Sequence, residues 1–419
     1  MGKILKNCAV TIVSGNYLAY ARVLGDSLAA AEPDFDFRVL IVDRKTPKLL
    51  EAVRETGLNV CFAEELNLPG SERFFYKYDI VELNTALKPT FLKQTFALGY
   101  EHVLYLDPDI RVYSPLTPVL DALSAASIVL TPHALKPAMD GLRPSDVDFL
   151  RTGVYNLGFI GLKASDQTKS MLDWWESRCL GLGFNDTTFG IFVDQKWINL
   201  VPCYFSSVHI LRHPGCNVAY WNLHERQIED RGDNHYLANG SDLIFFHFSG
   251  VVPTNPSILS KHQTRHCLQA PSALSKLVAD YCQSLNDLGH NQYAAFKYGF
   301  SSLDDGTTIT PTMRRALLVV PYDEQHPFKS ASRLQRDLLT AGITRSNNRK
   351  PPRAMNTLTF DANNVKVRIV NCFLRMTQKL IGTERLLALM RYASLMTRES
   401  HLPAVLLKQP LKLDHTIRQ

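Results

Sequence analysis

The sequence predicts an α/β protein: a Rossmann-like mixed sheet flanked by helices, with a mostly helical C-terminal extension. Three observations predict it. Strand-like and helix-like runs alternate at short pitch near the N-terminus. The 419-residue chain is 45% hydrophobic and 21% charged, ordinary globular usage that excludes a mainly disordered, fibrous or disulfide-stapled chain. The last segment is long, basic and helical in pattern.

The elements follow in order. Cys8 to Val13 is apolar and β-branched, as a buried strand requires. Ser14, Gly15 and Asn16 end it. From Tyr17 to Ala31, apolar Leu18, Ala21, Leu24 and Leu28 recur at helical spacing. Phe37 to Val42 reads as a second strand and closes on Asp43. Pro47 opens a helix to Glu55, at a position where its missing N–H costs nothing. Asn59 to Ala63 is a third strand, Pro89 to Leu98 a helix, and Val103 to Leu106 a fourth strand. Later, Ser127–Thr131, Gly158–Leu162, Val218–Asn222 and Leu243–Phe248 read as strands. Ser170–Cys179 and Ser272–Leu285 read as helices. Val365 to Met396 reads as one long helix, with Arg368, Arg375 and Lys379 on one face and Val370, Phe373, Leu380 and Ile381 largely away from it.

Charge is unevenly spread. Residues 345 to 419 carry 14 basic and 4 acidic side chains, a net +10. The rest carries 32 basic and 36 acidic, a net −4. The body therefore gives no reason to expect a nucleic-acid partner, whereas the tail is suited to an anionic one. Eight cysteines without a Cys-x-x-Cys pair read as reduced thiols of a cytosolic protein. No secretory signal and no membrane-spanning apolar run are expected.

The most informative stretch is His102 to Tyr113, HVLYLDPDIRVY. An apolar strand ends in Asp107-Pro108-Asp109. Asp-x-Asp also occurs at Asp34–Asp36 and Asp146–Asp148, but only the middle copy directly follows an apolar strand. Ligands of open α/β sheets bind beyond the carboxyl ends of strands. Two carboxylates two residues apart there make a hard oxygen site for a divalent ion. Such an ion can hold a diphosphate and stabilise it as a leaving group. The competing reading is a solvated acidic turn. A haloacid-dehalogenase-like phosphatase fits poorly, because Arg111 stands where Thr or Val is wanted and Asp107 is on about the fourth strand.

With this motif in place, the chain resembles glycosyltransferases of the nucleotide-diphospho-sugar (GT-A) fold, and most of all family 8, the group of glycogenin and the bacterial lipopolysaccharide galactosyl- and glucosyltransferases. The resemblance covers about residues 8 to 265. It rests on the joint order of CAVTIVSGNYL, KPTFLKQTFALGYEHVLYLDPDIRV, TGVYNLGFIGL, FVDQKWINLV and LIFFHFSG.

The resemblance implies a role for each stretch. Backbone groups from Thr11 to Val13, and the Tyr17 ring, hold the nucleotide base; helix-face packing is the other reading of Tyr17. Lys88 sits near the donor phosphates, or is a solvated lysine at a helix start. Asp107, Asp109 and His247 coordinate Mn²⁺ or Mg²⁺, the imidazole favouring Mn²⁺. Gly250 fits the family's His-x-x-Gly pattern, but Val251 to Asn255 lack its Lys-Pro-Trp continuation, and Lys261 replaces that lysine from a longer loop. Asn156 matches the donor-sugar asparagine, and Gly158 the glycine that lets the backbone approach the sugar. Asp194 and Gln195 match the pair beside the anomeric carbon; a helix N-cap followed by a surface glutamine is the bland alternative. Tyr220 and Trp221 read as acceptor-stacking or core aromatics.

The implied reaction is transfer of a hexose from a nucleotide sugar, by family default a UDP-sugar, to a glycan or lipid-linked glycan acceptor, with retention. The alternatives are a non-catalytic nucleotide-sugar-binding subunit of a polysaccharide synthesis complex and a sugar nucleotidyltransferase. The expected organisation is a catalytic domain over 1–265, a helical or mixed extension over 266–342, a linker over 343–358 and a basic amphipathic tail over 359–419. The expected location is cytoplasmic, with the tail in peripheral contact with the inner face of a membrane; packing of the tail on the body or a second subunit is the other reading.

Overall fold

The structure is a computed structural model that describes residues 5–68, 70–320, 325–343, 365–396 and 401–407. Contacts group the chain into two compact units, Met1–Ser301 and Ser302–Gln419.

Nine strands of the first unit position the site. They are β1 Leu5–Val13, β2 Asp36–Ile41, β3 Val60–Phe62, β4 Tyr100–Leu106, β5 Ile110–Val112, β6 Ile128–Pro132, β7 Tyr155–Lys163, β8 Val208–Ile210 and β9 Phe245–His247. Seven of them form a mixed sheet in the order β8-β6-β7-β4-β1-β2-β3. β1 pairs in parallel with β2 and with β4, so Cys8 lies opposite both Asp36 and Val103. β7 alone runs against its neighbours β4 and β6. β5 and β9 form a separate antiparallel pair at the carboxyl end of β4.

The apolar content of each strand explains the layering. Cys8 to Val13 is buried throughout, as are Val39 to Val42 and Val103 to Leu106. These runs have no polar face because helices cover both sides of the sheet. The helix Leu18–Ala31 buries Leu18, Ala21, Leu24 and Leu28, the stripe its spacing predicts. The helix Pro47–Thr56 starts on a Thr46 side-chain cap and stops at Gly57 in the left-handed region. Helix Ala273–Asp287, assigned from sequence to an extension, lies in the core of the first unit. Its Leu277, Val278 and Tyr281 pack in one cluster with Val39, Ile41 and Phe248, and Tyr281 stacks on Phe248 at 3.7 Å between ring centroids.

Two expectations change. Val218–Asn222 is not a strand: only Val218 bridges to Phe246, and Asn222 folds the segment back by bonding its own side chain to the carbonyls of Asn217 and His133. The expected single helix over 365–396 breaks at Gly382, whose φ of +83° no helix accommodates, into Val365–Ile381 and Thr383–Met396. The expected linker over 343–358 lies, from residue 344, outside the described residues, as do parts of the expected tail. Among the described residues no helix is long and apolar enough to cross a membrane.

Candidate functional site

The site begins where β4 ends. Asp107 N–H donates to the Gly158 carbonyl at 2.7 Å, and Ile110 N–H donates to the Asp107 carbonyl at 3.0 Å. These bonds close Asp107-Pro108-Asp109 into a turn that delivers the chain to β5. β5 pairs with β9, setting His247 opposite Ile110. Phe248 N–H donates to the Asp109 carbonyl at 2.8 Å. Two segments distant in sequence are thus fastened side by side by backbone alone.

The result is a convergent triad. One ligand atom each from Asp107, Asp109 and His247 lies within 4.8 Å of the others. His247 Nε2 stands 3.0 Å from Asp109 Oδ1 and 3.7 Å from Asp107 Oδ2. The imidazole is 3% exposed, while the Asp109 and Asp107 side chains are 21% and 30% exposed. Two carboxylates and one imidazole nitrogen, closed behind and open in front, fit a divalent cation that takes mixed oxygen and nitrogen ligands. Burial pulls the His247 pKa down, but the carboxylates of Asp109 and Asp107 outweigh it and the net shift is upward. A group of positive charge is wanted at this point, supplied by a proton or by a metal ion.

A chain of amides orients the imidazole. Asn217 Oδ1 lies 3.4 Å from His247 Nδ1, so Nδ1–H donates and Nε2 keeps its lone pair for the triad. Asn217 is itself fixed, because its Nδ2 donates to Thr131 Oγ1 at 2.8 Å and to Asn156 Oδ1 at 3.1 Å. Asn156 Oδ1 also accepts from Gly158 N–H at 3.1 Å, and its Nδ2 lies 3.3 Å from His133 Nε2. Sequence reasoning did not single out Asn217, whose backbone φ is +51° and whose side chain is fully buried. Trp221 meets the His247 ring edge-on at 5.0 Å. A Cβ on Gly158 would lie 2.2 Å from His247 Cε1, so here the glycine makes room for the imidazole. On the other side of the triad, the Tyr105 hydroxyl donates to Asp107 Oδ1 at 2.6 Å. Burial and then Asp107 hold that phenol well above its ordinary pKa, so it stays a donor.

Lys88 and Asp194 sit together beneath this layer. Lys88 Nζ is 2.7 Å from Asp194 Oδ2, and each side chain is 2% exposed. Lys88 also donates to the Leu157 carbonyl at 2.7 Å and lies 4.0 Å from the Tyr105 ring centroid. Lys88 is thus neither a solvated lysine nor an open phosphate contact in this structure. The Asp194 side chain caps no helix, and its backbone carbonyl accepts from Trp175 Nε1 at 3.1 Å. Burial raises the Asp194 pKa, with Lys88 opposing. Gln195 is tied inward as well: its Oε1 accepts from Leu157 N–H at 3.0 Å and its Nε2 donates to the Thr152 carbonyl at 3.1 Å.

The remaining expected residues divide. Thr11 and Val13 are 0% and 2% exposed, and the Val13 carbonyl accepts from Val42 N–H at 2.7 Å. Their backbone is paired with β2, in register with Val39 and Ile41, so it offers the base less than expected. Thr11 Oγ1 is buried with no hydrogen-bond partner among the described residues. Tyr17 is 39% exposed and stacks on Tyr20 at 4.5 Å. Burial, then Asp109 and Asp107, raise its pKa, which sets the phenol within the field of the triad. Gly250 has φ +76°, and a Cβ there would strike His262 Cδ2 at 2.4 Å. Its carbonyl accepts from Lys261 N–H at 3.0 Å, so the longer loop does return Lys261 to Gly250.

A cleft of about 420 Å³ has Trp221, the residue that meets His247, in its wall. Asn156, Gln195, Tyr220, Trp221, Arg143 and His262 are among its walls. Arg265 fastens its rim, donating to Asp140 Oδ2 at 2.6 Å and to the Pro144 carbonyl at 2.8 Å.

No family model matches the chain. The chain is 28% identical over 260 residues to the uncharacterized protein YfnF of Bacillus subtilis strain 168, spanning 61% of this chain and 85% of that protein. It is 27% identical over 251 residues to the uncharacterized protein YfnD of the same organism, spanning 58% and 77%. Among solved structures it is similar to the galactosyltransferase LgtC in complex with donor and acceptor sugar analogs, with a TM-score of 0.39 at 16% identity over 66% of this chain and 95% of that one. It is also similar to the glycosyltransferase GlyE of Streptococcus pneumoniae TIGR4, with a TM-score of 0.40 at 12% identity over 70% and 66%.

Proposed function

We propose that the chain is a metal-dependent glycosyltransferase of the GT-A type, resembling family 8. It moves a hexose from a nucleotide sugar, a UDP-sugar by that resemblance, to a glycan or lipid-linked glycan, with retention. The observation that carries this reading is the Asp107–Asp109–His247 triad at the carboxyl end of a sheet strand, next to a cleft whose wall residue Trp221 meets the His247 ring. These three residues would hold Mn²⁺ or Mg²⁺, and the ion would supply positive charge to offset that of a departing diphosphate. Asn217 and Asn156 hold the His247 tautomer. Tyr105 fixes Asp107 Oδ1 by its hydrogen bond, and Asp107 Oδ2 would be available to an ion. Tyr17 takes the base side and Lys261 the phosphate side. Gln195 fixes the backbone between Thr152 and Leu157, which forms one wall of the cleft. The acceptor hydroxyl is held against the donor by the Tyr220 and Trp221 side of that cleft.

The test is UDP release from UDP-glucose and UDP-galactose with Mn²⁺. Turnover that disappears in Asp109→Ala supports the reading, and an inverted product by NMR removes retention. One observation favours a second reading. Asp194 and Gln195 spend their side chains inside the protein, as a non-catalytic nucleotide-sugar-binding subunit tolerates. Nucleotide binding without any turnover decides for it.

The second unit supports a peripheral membrane role. In Val365–Ile381, the large side chains Val365, Ile369, Phe373, Met376 and Leu380 are all at least 60% exposed and recur at helical spacing. Residues 365–396 carry six basic side chains and one acidic. A second copy would bring the same charge, so the partner that fits is an anionic lipid surface, at the cytoplasmic face.

A further inference from the structure

The cleft is not electrically uniform. Trp221, which meets the His247 ring, is on its wall. Arg143 and Arg151 also stand on the wall and share a single acid, Asp148. Arg143 Nη2 donates to Asp148 Oδ1 at 2.7 Å and Nε to Oδ2 at 3.3 Å, and Arg151 Nη2 donates to Oδ1 at 3.1 Å. The acid is also occupied from below, since its Oδ2 accepts from Ser145 N–H at 2.9 Å and Ser145 Oγ at 3.1 Å. Both arginine side chains are 43% exposed, against 16% for Asp148. Two cations over one carboxylate leave a net positive charge. Each guanidinium carries five N–H donors, and most have no partner among the described residues. Lys196 adds a third cation on the carbonyls of Leu150 and Arg151.

The direction of the cleft matters too. Trp221 meets the His247 ring at 5.0 Å and the Tyr220 ring at 5.0 Å, and both aromatics line the same cleft as Arg143 and Arg151, so they connect the metal triad to the arginines. A donor diphosphate belongs at the triad. The arginines are left for a ligand that shares the cleft with Tyr220. A neutral sugar needs aromatic faces and neutral hydrogen bonds, whereas paired guanidinium forks match the planar oxygens of a carboxylate or the oxygens of a phosphate.

We infer that the acceptor is an anionic glycan, whose carboxylate or phosphate is bound by Arg143 and Arg151 while its sugar ring lies on Tyr220. This rests on the glycosyltransferase reading and names the acceptor class within it.

Three probes test it by calorimetric titration of the full chain, with UDP and Mn²⁺ and again without them: methyl glucuronide, glucose 6-phosphate and methyl glucoside. At least one anionic probe is expected to bind about tenfold more tightly than the glucoside, the value of one charge-assisted contact. A preference for the glucuronide names a carboxylate, and a preference for the phosphate names a phosphate. In Arg151→Gln, an exposed position, the preference is expected to fall below about threefold. The inference is overturned if the glucoside binds as tightly as both anions. It is equally overturned if the preference survives in a folded Arg143→Gln/Arg151→Gln variant. Failure of UDP to bind would instead strike the glycosyltransferase reading, and the nucleotide-free titrations would still decide for or against anion recognition.

Discussion

Lys88 and Asp194, far apart in sequence, close on each other at 2.7 Å with both side chains almost fully buried. Such a pair is costly to break from one side, because the remaining charge is stranded in the interior. Lys88→Met or Asp194→Leu alone is expected to cost about 3–5 kcal/mol. The double variant removes both charges and is expected to cost less than the sum of the two. Thermal melts of the three variants check this, and simple additivity would contradict it.

Gly158 and His247 define a second test. A methyl group on Gly158 needs space that the His247 ring already fills, at 2.2 Å from Cε1 and 2.6 Å from Nδ1. The ring must turn away from Asp109. Gly158→Ala is expected to cost about 1–3 kcal/mol and to abolish stabilisation by Mn²⁺, with the far-ultraviolet spectrum unchanged. A retained Mn²⁺ response would show that the imbalance is absorbed elsewhere and that His247 is not held as described.

His133 gives a pH dependence with a defined sign. Burial lowers its pKa from 6.5 to about 4. Between those values the unfolded chain binds a proton that the folded chain refuses. The contribution of His133 is therefore present in full above 6.5 and falls away as the pH drops to about 4, by about 3 kcal/mol. Wild type is expected to lose more stability than His133→Gln between pH 6.5 and 4.5, measured by thermal melts across that range. Parallel curves would contradict it.

The basic helices predict lipid selectivity. The chain is expected to sediment with vesicles rich in phosphatidylserine and not with phosphatidylcholine alone. Each cation near such a surface contributes about 1 kcal/mol, and salt weakens it. Phe373→Asp/Leu380→Asp, or removal of 345–419, is expected to abolish sedimentation. Equal binding to both vesicles, or binding unchanged by removal of 345–419, would end the membrane role.

What the sequence disclosed follows a physical divide. Strands buried on both faces, such as Cys8 to Val13, and helices with a clear stripe, such as Leu18 to Ala31, were legible because burial writes itself into local apolar spacing. The order of acid pair, strand and His247 was legible for the same reason, each following an apolar run. The Lys88–Asp194 pair was not, because a buried lysine and a buried aspartate look like surface residues until they meet. Asn217 was not, because it acts through His247 and sits in a loop with no periodicity. Gly382 was passed over because the apolar pattern continues on both sides of it, whereas its left-handed backbone breaks the helix.

Asp107, Asp109 and His247 are proposed to form a metal-dependent nucleotide-sugar site. The most direct measurement is a thermal-shift panel of UDP, GDP, CDP and dTDP, each with and without Mn²⁺. A ligand at 100 times its Kd adds about 2.7 kcal/mol. The expected result is one nucleotide, UDP, that raises the Tm by about 5 °C or more only with Mn²⁺, with the shift lost in Asp109→Ala. No shift with any nucleotide, or one indifferent to both Mn²⁺ and Asp109, would contradict it.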